Sequence, residues 1–302
     1  MPFVTLRDGQ SIHVRLCGRG EPVLLLPALG MRSSCWLPFI WPFLHRFRFY
    51  MPDFRGSGPS SAAHLNQSDV FQNHMEDVQD VITHFGLQGF LLVGYSLGAS
   101  VALHLQRAGG FAGVKRYLHM DISPCICNRE DWPYGLFGER QQEFFTILHR
   151  LNDVLAKYAH FDRLEYLPFS AHRQVASILT DMLSKIFAKP LPLLRPLLLA
   201  LSCWPWLFSR LVPITRISDI QAYLFSYLQA CHDYRESLRR CQTPVTLMIG
   251  MRSAPYDPAG QMKMADYAKN STLVLFEKAG HMLLVESPIK FTRELGRFLH
   301  GR

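Results

Sequence analysis

The chain has 302 residues, 48% of them hydrophobic and 19% charged, with a formal net charge of +8. That is enough apolar material for one large core, or for a core carrying an insertion. The positive balance permits attraction to anionic membranes or acidic partners, but no basic run is interleaved with aromatics, which argues against nucleic-acid binding. Seven cysteines, an odd number without framework spacing, point to reduced thiols and a cytoplasmic setting. Cys125-Ile-Cys127 has no second ligand pair nearby and reads as idle thiols rather than a metal site. The first residues lack a basic stretch followed by an apolar one, so no secretory signal is expected.

Strand and helix patterns alternate along the chain, which predicts an α/β fold with a mostly parallel sheet and helices on both faces. Phe3–Arg7 and Ile12–Leu16 read as a starting hairpin turned at Asp8-Gly9. Pro22–Leu26 and Phe47–Pro52 are continuous apolar strands. Ser68–Phe85 has helical periodicity, opens with Ser/Asp capping chemistry and stops at Gly86. Further strands are expected at Gly89–Val93, Gly113–Met120, Pro244–Ile249 and Leu273–Phe276, with a closing helix at Ile289–His300.

The most informative stretch is Leu91-Leu-Val-Gly94-Tyr-Ser96-Leu97-Gly98, followed at once by an apolar helical run, Ala99 to Ala108. A buried strand, a one-residue corner and a helix place a serine in a strained conformation, its hydroxyl projecting from the sheet edge. Gly94 and Gly98 lack side chains where strand and helix crowd together. The helix also aims backbone N–H groups and a positive dipole end at any oxyanion formed there.

With three further motifs in matching order, the chain resembles the α/β-hydrolase superfamily over nearly its whole length. Leu24-Leu-Leu-Pro27-Ala28-Leu29-Gly30 stands where that family has its oxyanion loop. Asp53-Phe-Arg55-Gly56-Ser-Gly58-Pro-Ser60 matches its turn after the fourth strand. Ala279-Gly280-His281, followed by Glu286-Ser-Pro288, matches its histidine loop. The resemblance implies an eight-stranded sheet, Ser96 as nucleophile and His281 as its base. It also implies an oxyanion hole from the N–H groups of Leu97 and Leu29. Asp53, Arg55 and Glu286 read as structural, and His119 as a packed core histidine.

The acid departs from the family pattern. The position three residues after Gly250, where the family usually carries Asp, holds Ser253, and its interval of 28 residues to His281 is ordinary for the family. Two carboxylates can substitute. Asp257 lies four residues further along the same loop. Asp121 ends the sixth strand, a position that carries the triad acid in some haloalkane dehalogenases, although many relatives keep an Asp there for structural reasons. Because a strand end fixes Asp121 beside the nucleophile strand, rigidity favours it over Asp257.

About 120 residues separate Asp121 from Pro244, far more than a crossover helix needs. Here the family inserts its cap, so the expected division is a hydrolase core of residues 1–124 and 241–302 with a helical cap over 125–240. Helical patterns run over Gln141–Ala159, His172–Phe187 and Ile217–Arg240. Pro196 to Phe208 is thirteen residues without a charge, too short and too interrupted by proline to span a bilayer. It reads either as a cap helix buried against the core or as an apolar lid that touches acyl chains or a membrane face, flanked by Lys189, Arg195 and Arg210. With Trp204 and Trp206 in it, a hydrophobic substrate channel is expected beneath or beside it.

The expected activity is that of a serine hydrolase on esters or thioesters with apolar acyl groups, or of an acyltransferase through the same acyl-enzyme. The alternative is a non-catalytic small-molecule binder on this fold, a reading that draws on Ser253. No metal, nucleotide or flavin motif is seen, and no cofactor is expected.

Overall fold

A computed structural model describes residues 2–186, 194–212 and 214–302. One eight-stranded sheet organises the chain, in the order β1-β2-β4-β3-β5-β6-β7-β8. The strands are β1 (Phe3–Thr5), β2 (Ser11–Gly18), β3 (Glu21–Leu26), β4 (Phe47–Pro52), β5 (Phe90–Tyr95), β6 (Val114–Met120), β7 (Val245–Gly250) and β8 (Ser271–Phe276). The opening hairpin pairs Phe3 with His13, β2 runs antiparallel to β4, and every later pairing is parallel.

The central strands are apolar because both faces are covered. β5 is buried at all six positions. Odd and even residues feed different cores: Leu24, Leu26 and Leu92 point into one cluster, and Val23, Leu25, Leu91 and Val93 into the other. From β3 the chain steps outward to β4 and then crosses back to β5, so strand order reverses between β3 and β5. In open sheets of this kind, reactive groups gather at the carboxyl ends of the strands beside such a reversal.

The expected Ser68–Phe85 helix runs from Val70 to Phe85. Asp69 caps its start by accepting from the Phe71 and Gln72 N–H groups, and Gly86 ends it at φ 59°. The closing helix, Pro288–His300, buries Phe291, Leu295, Phe298 and Leu299 in the second core.

Between β6 and β7 the chain forms a helical insertion, including helices Gln141–Lys157, Phe169–Ile186, Leu194–Leu201, Ile217–Phe225 and Arg235–Arg240. The expected helix end at Phe187, and Lys189, lie outside the described residues. The pattern over Ile217–Arg240 does not make one helix. It widens into a π-turn at Ser226–Ala230 and breaks at Cys231, whose φ is 38°. The greasy segment is likewise two short helices, since Pro205 opens Pro205–Ser209. Those two helices pack on the Phe169–Ile186 helix, and Pro205–Ser209 also lies on the Leu164–Tyr166 turn. Trp204 and Trp206 stay more than half exposed.

The cysteines require a second correction. Cys127 is not an idle thiol but is bonded to Cys231, 104 positions further along the sequence. Spacing gave no hint, because the pair meets only when the insertion returns to its starting point. Cys125 stays a free, buried thiol.

His119 is a packed core histidine, 1% exposed. Its Nε2–H donates to the Ile122 carbonyl at 3.1 Å, and its Nδ1 accepts from the Tyr117 hydroxyl at 2.9 Å. Burial lowers its pKa to about 4 from an ordinary 6.5. The fold therefore keeps it neutral, and its contribution is whole above pH 6.5 and lost as pH falls from there toward 4. One group shifted this far accounts for about 3 kcal/mol over that window. Urea unfolding between pH 7 and 4.5 should show stability falling with acid, and His119→Gln, which keeps a donor for Ile122, should flatten that slope.

Candidate active site

The carboxyl ends of β3, β5, β6, β7 and β8 carry Leu29, Ser96, Asp121, Ser253 and His281 in the loops that follow them. Ser96 sits at φ 51° and ψ −115°, a conformation that L-residues rarely adopt and that costs about 1–3 kcal/mol. The surroundings hold it there. Its N–H donates to Met120 O at 3.1 Å, and its carbonyl accepts from Ala99 and Ser100 at 2.8 and 3.1 Å. A Cβ on Gly94 would come 2.7 Å from Ala99 Cα, and one on Gly98 would come 2.4 Å from Leu26 O. The two glycines are therefore obligatory for this corner.

Ser96 Oγ lies 3.0 Å from His281 Nε2, and His281 Nδ1 lies 2.8 Å from Asp121 Oδ2. His281 and Asp121 are buried, while Ser96 keeps partial access to solvent. His281 is positioned from several sides. The Tyr95 hydroxyl donates to its carbonyl at 2.9 Å, and the Tyr95 and Tyr256 rings stand 6.0 and 6.1 Å from the imidazole. Glu286 accepts from the Gly280 and Met282 N–H groups on either side of it. Burial raises the Tyr95 and Tyr256 phenols above their usual range, so both remain neutral hydroxyls.

Asp121 is fully buried and accepts three further hydrogen bonds: Gly250 N–H at 2.7 Å, Ser253 Oγ–H at 2.6 Å and Gln261 Nε2–H at 3.2 Å. Ser253 thus occupies the usual acid position and donates to the carboxylate that reaches His281 from the next strand. Asp257 is elsewhere. Its carboxylate caps the Pro258–Met262 helix by accepting from Ala259 N–H at 2.7 Å. Sequence reasoning weighed Ser253 only as a missing acid and did not single out Gln261.

Leu97 opens the helix after Ser96, and Leu29 sits in the loop after β3. Gly98 N–H donates to the Pro27 carbonyl at 3.0 Å, which ties these two loops side by side. Asp53 and Arg55 lie outside this arrangement. Asp53 accepts from Ser33 and meets His13, while Arg55 forks onto Asp77 and reaches Asp8. Among the described residues, no group of three His, Cys, Asp or Glu side chains could hold a metal ion.

If Asp121 alone faces the imidazole, the two carboxylates respond differently to substitution. The downfield Nδ1 proton of His281 should be visible by NMR in wild type and in Asp257→Ala, and absent in Asp121→Asn. Asp257→Ala should instead cost about 1 kcal/mol of stability through its lost helix cap.

The sequence profile described as "Alpha/beta hydrolase family" matches residues 23–295. A pimeloyl-[acyl-carrier protein] methyl ester esterase of Nitrosomonas europaea is 25% identical over 283 residues, covering 93% of this chain and 96% of that protein. An esterase from Exiguobacterium antarcticum superposes with a TM-score of 0.75 at 21% identity, covering 99% of this chain and 98% of the other. The enol-lactonase from Burkholderia xenovorans LB400 gives 0.70 at 17% identity, covering 99% and 100%. The chain belongs to the alpha/beta hydrolase family.

Proposed function

We propose that the protein is a serine hydrolase that cleaves carboxylic esters or thioesters with apolar acyl groups through an acyl-enzyme on Ser96. The observation that carries this reading is the unbroken relay from Ser96 Oγ to His281 Nε2 at 3.0 Å and from His281 Nδ1 to Asp121 at 2.8 Å. A serine hydroxyl attacks a carbonyl only when a base removes its proton in the same step. His281 Nε2 takes that proton as Oγ bonds to the acyl carbon. Asp121 holds Nδ1–H, fixes the tautomer and stabilises the imidazolium. The tetrahedral oxyanion falls between the N–H groups of Leu97 and Leu29.

Collapse of that intermediate breaks the bond to the alcohol or thiol, which leaves with the proton from His281. A water then repeats the sequence: His281 takes its proton, hydroxide adds to the acyl carbon, and Ser96 leaves with the proton restored. Another hydroxyl or thiol in place of water gives acyl transfer through the same intermediate.

Preference for apolar acyl groups is supported by Leu29, 41% exposed on the loop after β3 that supplies an oxyanion donor in this reading. Ester chemistry is supported by the relatives, among them the methyl ester esterase of N. europaea. The residues 125–240 form the cap in this reading. A non-catalytic binder is less favoured, because Asp121 supplies the carboxylate whose absence at position 253 was its best argument.

A fluorophosphonate probe should label the wild type and leave Ser96→Ala unlabelled although folded. Asp121→Asn should lower kcat/KM for a nitrophenyl ester by up to about 10⁴-fold, with Asp257→Asn nearly unchanged. Turnover should rise from acetyl toward decanoyl esters. A wild type that never labels would hand the assignment to the binder.

A further inference from the structure

The insertion carries a surface that the chemistry at Ser96 does not use. Leu197, Trp204, Trp206 and Leu211 are each half exposed or more, within fifteen residues of chain. Tyr166 and Phe169 add aromatic faces 60% and 58% exposed on the turn and helix against which these segments pack. Isolated exposed apolar residues need no explanation, but six on elements packed together do.

Positive charge accompanies this patch. From Met182 to Ser218, thirty-seven residues, there is no Asp or Glu and there are five Lys or Arg. Within it, the Arg210 guanidinium lies 5.3 Å over the Trp206 ring. Arg173, on the neighbouring helix, reaches the Leu199 carbonyl and the Ser202 hydroxyl. Two of the five are ion-paired, Lys185 with Glu143 and Arg216 with Asp162, and Glu165 lies within the Tyr166 turn. A rival groove beside the closing helix, lined in part by Phe39, Phe43 and Ile289, holds Arg293 and Arg297 on the single carboxylate of Glu294 and has no tryptophan in its lining.

Tryptophan rings with arginine beside them suit a boundary that is apolar on one side and charged on the other. The Arg173 and Arg210 guanidiniums among them favour a negatively charged boundary. No helix among the described residues is long and apolar enough to cross a membrane. We propose that Leu197, Trp204, Trp206, Leu211 and Arg210 form a docking surface for the headgroup region of an anionic lipid bilayer, with the insertion lying on the membrane rather than through it. This does not depend on the reaction at Ser96.

The test uses full-length Ser96→Ala, so that binding is read without turnover, and vesicles of phosphatidylcholine with or without phosphatidylglycerol. Sedimentation with the phosphatidylglycerol vesicles, weakened by salt and accompanied by a blue shift in tryptophan fluorescence, is expected. Trp204→Ala/Trp206→Ala should weaken binding at least tenfold, and Arg210→Glu should also weaken it. Trp41→Ala, at a 73% exposed tryptophan between β3 and β4, should not. Binding that ignores the double variant, equal binding to neutral vesicles, or no binding at all would overturn the proposal. So would a concentration-dependent dimer in ultracentrifugation that the double variant abolishes while vesicle binding persists.

Discussion

The carboxylate of Asp121 accepts from four donors at or beyond the ends of β7 and β8: the Gly250 amide, the Ser253 hydroxyl, the Gln261 side chain and the His281 ring. It is fully buried, so each of those bonds replaces hydration that the group has lost. The carboxylate is thereby the knot that holds three parallel strand ends in one arrangement. Its own backbone is at φ 52°, a conformation that Asp tolerates better than most side chains. A strained Asp at the end of β6 and a strained Ser at the end of β5 stand next to each other, joined by the Ser96 N–H bond to Met120 O. The local strain persists because so many surrounding contacts determine it.

Much of this was legible from the chain alone. All eight strands are where alternating apolar runs and turn residues place them, with boundaries shifted by a few residues. The Ser96 corner could be read because its glycines answer a local steric demand, visible as a spacing of two residues on either side. The acid could not be read in the same way. Asp121 and His281 are 160 residues apart, and which carboxylate reaches the imidazole depends on how β6 and β8 flank β7. Asp257 had the more familiar sequence position, yet the proline after it makes it an ordinary helix cap. Ser253 looked like a loss until its hydroxyl was seen to donate to the carboxylate from the adjacent strand.

The insertion was harder to read for a different reason. Its hydrophobic periodicity marks helices correctly but does not say which apolar side chains turn inward. Phe144, Leu148, Leu151 and Leu155 join the same buried cluster as the β5 and β6 side chains, whereas Trp204 and Trp206 face water. Tyr223 meets His74 of the Val70–Phe85 helix, and Ser226 accepts from the Val70 N–H while its own hydroxyl donates to the Ser68 carbonyl. The insertion is thus grafted onto one face of the sheet through a continuous core, and only its far rim is left to solvent.

The Cys127–Cys231 bond sits where the insertion leaves and rejoins the sheet. Beside it Ile126 N–H donates to His232 O, Tyr234 N–H donates to Pro124 O, and Cys125 pairs with Asp233. The two strands of this neck have their cysteine Cα atoms only 5.2 Å apart. The bond rivets the two roots of the lobe together, so they cannot slide past each other or drift apart, and this neck adds a covalent hold to the shared core. A protease cut anywhere between Cys127 and Cys231 would likewise leave both fragments covalently attached, so scission of the lobe need not release it.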